Sequence, residues 1–164
     1  MPLVYLSLGS NLGDRCAYLK QAITALGEVY DISKISSIYE TVAWGKTDQP
    51  DFLNLVLSLE TEDDPYQVLQ TCQSIEQRLG RVRHERWGER TIDIDILFFG
   101  ERVIRDPEEI LLVPHPRLWD RAFVLIPLLE IAPNMKFGGR SLTLELGRLD
   151  QQGVRYYAET ATDC

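Results

Sequence analysis

At 164 residues, with a formal net charge of −8 and a sequence pI near 4.8, the chain is sized for a single domain and lacks the basic footprint of a nucleic-acid binder. A hydrophobic fraction of 45% supports a sizeable core, and no apolar run approaches the ~20 residues of a membrane span. The opening MPLVYLSLGS has neither a charged leader nor a long apolar stretch, so it reads as a strand and not as a signal peptide. Cys16, Cys72 and Cys164 are odd in number, widely spaced and free of metal-site spacing. The expectation is three reduced thiols in a cytoplasmic protein, with Cys72 on the apolar face of a helix.

In chain order, Val4 to Leu8 is a short apolar strand that breaks into Gly9-Ser10-Asn11-Leu12-Gly13-Asp14. That segment is a turn, and it has the composition either to cradle a phosphate or simply to reverse the chain. Asp14 can cap a helix whose apolar stripe is Leu19, Ala22, Ile23 and Leu26, with Gly27 as its stop. Ile32 to Thr41 is extended, and Val42 to Pro50 is a polar loop that carries Trp44. From Phe52 the residues alternate. Leu53, Leu55, Leu57 and Leu59 should face the core, leaving Phe52 and Asn54 together on the other face. A ring and an amide side by side can hold a flat heterocycle; equally, they can be a packing Phe and an edge-strand Asn. Asp64-Pro65 opens the next helix, whose stripe is Val68, Leu69, Cys72, Ile75 and Leu79 and whose stop is Gly80. Gln73 and Glu76 share a side beside that stripe.

The chemistry concentrates in the next run, RVRHERWGERTIDIDILFF, from Arg81 to Phe99. Thr91 to Ile96 alternates with period two, so Ile92, Ile94 and Ile96 point one way and Asp93 and Asp95 the other. At about 3.3 Å rise per residue, the two carboxylates start roughly 6–7 Å apart on one face. Such a pair can hold one or two hard cations, because Mg²⁺ prefers oxygen ligands. It can also be the wet face of an ordinary strand. Just upstream, Arg81, Arg83, His84, Arg86 and Arg90 surround Trp87 and Gly88 in a loop-like segment. Guanidinium forks match phosphate oxygens, so arginines leading into paired aspartates suit a metal–polyphosphate ligand.

Beyond this run, Glu101 to Ile104 is expected to be a short return strand. Pro114 and Pro116 restrain His115, either as a phosphate or proton-transfer group or as a plain loop residue. Leu118 to Ile131 is helix-like with an interruption at Pro127, and Arg121 and Phe123 lie near its start. A short helix over Ser141 to Leu149 and a strand over Val154 to Tyr157 close the chain. One domain over 1–160 with a frayed tail at 161–164 is the expected organisation. The order strand, helix, strand, strand, helix, strand is the split βαβ pattern. It predicts an α+β, ferredoxin-like antiparallel sheet with helices packed on it.

Four motifs carry a resemblance: LGSNLGD at 8–14, DQPDFLN at 48–54, RVRHERWGERTIDIDILFFG at 81–100 and VPHPRLWDRAFVLIPLLEIAP at 113–133. Together they resemble the 6-hydroxymethyl-7,8-dihydropterin pyrophosphokinases of folate biosynthesis, from the first strand to about Pro133. The resemblance implies diphosphate transfer from ATP to the pterin hydroxymethyl group, with two Mg²⁺ ions on Asp93 and Asp95 and with Arg81 and Arg90 at the phosphates. It implies that Arg83, Trp87, Gln73, Glu76, Ile96, His115 and Arg121 lie on the ATP side. On the pterin side it implies Phe52, Phe123, Asn54, Thr41, Val42 and Trp44. A cytoplasmic monomer with no membrane or nucleic-acid partner is the accompanying expectation. Phe52 stands where tyrosine is common in the family, and Ile110 where some members carry arginine. Two other classes compete: an ATP-sensing module without turnover, and another D-x-D metal enzyme acting on nucleotide-sugars or phosphodiesters. Neither needs the Phe52, Asn54 and Phe123 set.

Overall fold

A computed structural model of the chain describes residues 1–41, 51–80 and 91–164. In chain order the elements are β1 (Leu3–Ser10), α1 (Arg15–Val29), β2 (Asp31–Ile35), β3 (Ile38–Thr41), β4 (Phe52–Glu60), α2 (Pro65–Arg78) and β5 (Asp93–Phe99). There follow β6 (Ile104–Arg105), β7 (Leu112–Val113), α3 (Ala122–Ile131), β8 (Lys136–Phe137), β9 (Arg140–Ser141), α4 (Leu142–Leu146) and β10 (Val154–Ala158). Six of these strands form one antiparallel sheet in the order β10-β3-β4-β1-β5, with β2 also paired to β4. The core order β3-β4-β1-β5 is the ferredoxin-like arrangement expected from the split βαβ pattern.

The extended stretch read as one strand is two, broken at Ser36 and Ser37. Both pieces lie along β4, and Ser36 spans the break. Its N–H donates to the Val56 carbonyl at 2.9 Å, and its Oγ accepts from the Val56 N–H at 2.9 Å. A side-chain hydroxyl thus replaces the missing backbone acceptor.

Alternation in β4 and β5 sorts the two faces. Leu53, Leu55, Leu57, Leu59, Ile92, Ile94 and Ile96 pack with α1 and α2 in the larger core. Val56, Leu97 and Phe98 face the second core with Val124, Leu125 and Leu128 of α3. A register shift between Tyr5 and Leu6 leaves Leu97 without a partner on β1, a bulge that turns both Leu97 and Phe98 to the second core. β4 is therefore central and covered on both sides, so Asn54 does not sit on an edge strand.

Asp14 caps α1, and Asp64 forms a capping box with Gln67 at the start of α2, as the caps in the sequence predict. Several boundaries differ, the first at β1, which runs on through Gly9 to Ser10 where a turn was expected. Gly27 does not stop α1, which runs on to Val29 and ends at Tyr30 in extended backbone; nothing there requires a left-handed residue. The return strand begins only at Ile104, where it can pair with Leu112 and Val113. Pro127 lies inside a continuous α3. The loss of one N–H is tolerated by a helix whose Val124, Leu125 and Leu128 are buried, and the break falls at Arg121 instead. The last helix is shorter than expected, Leu142–Leu146, with Ser141 as its cap.

The thiol expectation is corrected at two positions. Cys16 and Cys164 form a disulfide with 5.7 Å between their Cα atoms. Ala161 and Cys164 pack against the larger core, so the tail is anchored where a frayed end was expected. The spacing of 148 residues hid this pairing, because only folding brings β10 alongside β3 and returns the tail to the start of α1. Cys72 is buried as expected, and burial pushes its thiol up to about 12. Without reductant, the native chain should therefore present no thiol to a colorimetric disulfide reagent. Unfolding should release one, and unfolding with reduction all three. Two or more reactive thiols in the native, unreduced protein would show that the Cys16–Cys164 bond is not formed.

Candidate active site

Strand register assembles one row of residues across the sheet. Tyr39 on β3 opposes Asn54 on β4, Asn54 opposes Gly9 on β1, and Gly9 opposes Asp93 on β5. Directly opposed residues share a face. The next row runs Val56, Ser7, Asp95, and on the other side Thr41 opposes Phe52. Phe52, Asn54, Thr41, Asp93 and Asp95 therefore lie on one face of the sheet, the one that α3 covers further along. The sequence had placed the two pairs on separate strands; register unites them.

Gly9 was expected in a turn, either cradling a phosphate or simply reversing the chain, and it lies instead within β1. A Cβ on it would fall 2.7 Å from Asn54 Oδ1 and 3.7 Å from the Phe52 ring. Only a hydrogen fits on β1 beside the Asn54 amide. Asn54 is 9% exposed and donates from Nδ2 to Thr41 Oγ1 at 3.2 Å, which fixes the amide's orientation. The clue in the sequence was a glycine inside an alternating strand, a mark of close approach.

Asp93 and Asp95 are both half-buried. β5 lies at the sheet edge, and its outer side is occupied. The Ile94 N–H, between the two aspartates, donates to Glu76 Oε2 at 2.8 Å, and the His115 N–H donates to the Leu97 carbonyl at 3.0 Å. Glu76 is 3% exposed, so its carboxylate is committed beneath the strand, whereas Gln73 on the same helix is exposed. The Ile96 side chain is in the core, 5% exposed, which leaves only its backbone to meet a ligand.

The His115 Nδ1 accepts from the Arg117 N–H at 3.1 Å, so the neutral ring carries its proton on Nε2. Burial, with the Arg121 charge beside it, pulls this imidazole down to about 4 against a smaller opposing pull from Asp93. Arg121 lies 5.5 Å from the Phe123 ring centroid at the start of α3, and both are half-buried. Val42, Trp44, Arg81, Arg83, Trp87 and Arg90 lie outside the described residues.

The donor set fits a hard cation. Among the described residues no group of three or more His, Cys, Asp or Glu side chains is assembled. Two carboxylates would leave the remaining ligands to water and substrate oxygens, which is the habit of Mg²⁺ at phosphate sites. A row that sets an amide and aromatic rings beside two carboxylates can hold a flat polar ring and a metal–phosphate next to each other.

Residues 5–133 match the family model described as 7,8-dihydro-6-hydroxymethylpterin-pyrophosphokinase (HPPK). The chain belongs to the HPPK family. It is 43% identical over 159 residues to the 2-amino-4-hydroxy-6-hydroxymethyldihydropteridine pyrophosphokinase of Bacillus subtilis, covering 96% of this chain and 91% of that one. To the enzyme of the same name from Aquifex aeolicus it is 47% identical over 135 residues, 82% and 83% of the two chains. Among solved structures, Plasmodium falciparum HPPK-DHPS superposes with a TM-score of 0.71 at 18% identity, over 90% of this chain. The match spans only 43% of that longer chain and speaks to the HPPK fold alone.

The low proton affinity of His115 has a sign that can be checked. The folded chain binds this proton less readily than the unfolded chain does, so its contribution to stability is complete above about pH 6.5 and falls as the pH drops towards 4. In metal-free protein the His115 resonance, assigned with a His115→Gln variant, should titrate with a midpoint well below 6.5. A midpoint at or above 6.5 would mean that the ring is solvated or paired with Asp93.

Proposed function

We infer that this chain transfers the diphosphate of ATP to the hydroxymethyl group of 6-hydroxymethyl-7,8-dihydropterin, giving AMP and the pterin diphosphate in folate biosynthesis. The observation that carries the reading, beyond family membership, is the Asn54–Gly9–Asp93 row. Two strand spacings, about 10 Å in all, separate the amide from the first carboxylate. That is a suitable span for a bicyclic ring held at Asn54 to extend its hydroxymethyl arm to a phosphate gathered at Asp93.

In this reading, Phe52 and Phe123 flank the ring, and Asn54 and Thr41 hydrogen-bond its edge, with Val42 and Trp44 on the same side. Asp93 and Asp95 would hold Mg²⁺, two ions in our assignment, which would supply charge neutralisation at the phosphates. The hydroxymethyl oxygen forms a bond to the β-phosphorus while the bond to the α–β bridging oxygen breaks, and AMP leaves. The hydroxyl proton leaves as that bond forms; among the described residues no strong general base stands out, and either Asp95 assists its departure or the bound cation alone suffices. His115, neutral at pH 7, donates from Nε2 to a phosphate or ribose oxygen. Arg121, Arg81, Arg83 and Arg90 supply cationic donors, Trp87, Gln73 and the Ile96 backbone line the nucleotide side, and Glu76 supports that side from beneath β5 through the Ile94 N–H.

We assign the protein to the cytoplasm as a monomer. The Cys16–Cys164 bond runs against that compartment, because reducing compartments keep thiols reduced. A thiol count on protein alkylated at lysis decides between them.

With Mg²⁺, ATP and the pterin substrate, AMP should form in a pterin-dependent manner. ADP would mean single phosphoryl transfer, and ATP binding without turnover would favour the sensing module. Asp95→Ala should lower turnover on the order of 100-fold or more while leaving far-UV circular dichroism and the thermal midpoint unchanged, since its loss removes charge neutralisation and not core. Full activity in that variant would take Asp95 out of the cation site.

A further inference from the structure

Two guanidinium groups meet beneath the hairpin that carries the pterin-side residues. Arg15, the first residue of α1, donates from Nη1 to Glu40 Oε2 at 2.8 Å and to the Asp51 carbonyl at 2.8 Å. Arg155, on β10, donates from Nη2 to Glu40 Oε1 and to Asp51 Oδ2, the latter at 3.3 Å. Glu40 immediately precedes Thr41, and Asp51 immediately precedes Phe52. Thr41 and Phe52 are cross-strand partners, and Thr41 in turn holds the Asn54 amide. Side chains alternate along a strand, so the charged cluster and the Thr41–Phe52–Asn54 group occupy opposite faces of the same hairpin end.

β10 is held for this task at both ends. Its register sets Arg155 opposite Glu40 and Val154 opposite Thr41. Its last residue, Ala158, is buried, and beyond it Cys164 is bonded to Cys16, the neighbour of Arg15. The Arg15 guanidinium also lies 5.6 Å from the Tyr157 ring centroid. The whole arrangement on β10 falls outside residues 5–133 that define the family match.

We propose that the C-terminal strand is a brace for the acceptor end of the site, with Arg155 as a positioning residue that ties Glu40 to Asp51 and so fixes Thr41, Phe52 and Asn54. The proposal rests on the reading of those three residues as the pterin side. The Arg155 side chain is 59% exposed, and an exposed ion pair adds little to stability. The effect of the brace therefore lies in geometry more than in folding. Glu40 is in keeping with this: burial raises its carboxyl, but the hydrogen bonds from Arg155 and Arg15 outweigh that and hold it below the ordinary value.

Arg155→Ala, Arg155→Lys and Asn54→Ala in the full chain test it by steady-state kinetics with Mg-ATP, each substrate varied in turn. For Arg155→Ala the pterin KM should rise about 5-fold, while kcat and the ATP KM stay within about twofold, the signature of lost ground-state binding at one substrate. Arg155→Lys should restore most of the pterin KM, and the thermal midpoints should agree. An unchanged pterin KM in Arg155→Ala, with a raised one in Asn54→Ala, overturns the brace alone. A joint rise of both KM values with a lowered thermal midpoint also overturns it, leaving Arg155 a plain structural contact. An unchanged pterin KM in Asn54→Ala overturns the pterin-side reading, and the brace with it.

Discussion

Gly9 on β1 stands between Asn54 on β4 and Asp93 on β5, and the absence of a side chain there is what makes room for the Asn54 amide. The constraint is steric, since a methyl group there would lie 2.7 Å from Asn54 Oδ1. It is also chemical, since the open backbone of β1 becomes the floor between an amide and a carboxylate. Everything else on this face depends on that floor. Phe52 and Asn54 approach it from β4, Asp93 and Asp95 from β5, and Phe123 and Arg121 stand at the start of the helix that covers the sheet further along. Residues on the three strands come together only because β1 is central and antiparallel to both neighbours.

The second dependence is the edge of β5. An exposed strand edge offers unpaired N–H and C=O groups and invites slippage or foreign pairing. Here Glu76 takes the Ile94 N–H and the His115 backbone takes the Leu97 carbonyl. The first lies between the two aspartates in sequence, so a buried carboxylate holds the backbone that carries the pair. Burying that charge is costly, and the hydrogen bond from the strand offsets part of the cost. The second brings His115 to the carboxylates through its main chain. Its imidazole is then turned inward, where burial and Arg121 keep it neutral.

Periodicity made much of this legible. The leucines of β4 and the isoleucines of β5 fall on the expected face, the caps at Asp14 and Asp64 hold, and the antiparallel ferredoxin-like order follows from the succession of elements. What periodicity cannot supply is register. The sharing of a face by Asn54 and Asp93, and the reason for Gly9, are facts about three strands at once. Glu76 reads in sequence as a polar residue beside an apolar stripe, and only its packing against β5 makes it a backbone acceptor. Gly27 and Pro127 misled for a related reason. Helix propensity is a weak prior, and apolar burial on either side of each residue carries the helix through. The Cys16–Cys164 bond depends on where the last strand lies, which no local pattern records.

The division of the face has an electrostatic logic. With a net charge of −8, the chain repels a polyphosphate overall, so attraction must be local. The arginine run at 81–90 is bracketed by Gly80, which follows α2, and Thr91, which leads into β5. No guanidinium in it is more than ten residues from Thr91 along the chain, so the basic run adjoins Asp93 and Asp95 in sequence. The residues that our proposal assigns to the acceptor, Thr41, Phe52 and Asn54, lie on β3 and β4, where Gly9 leaves room and Thr41 holds the Asn54 amide. A flat polar ring needs fixed hydrogen-bond partners and exclusion of water, and central strands covered on both sides supply both.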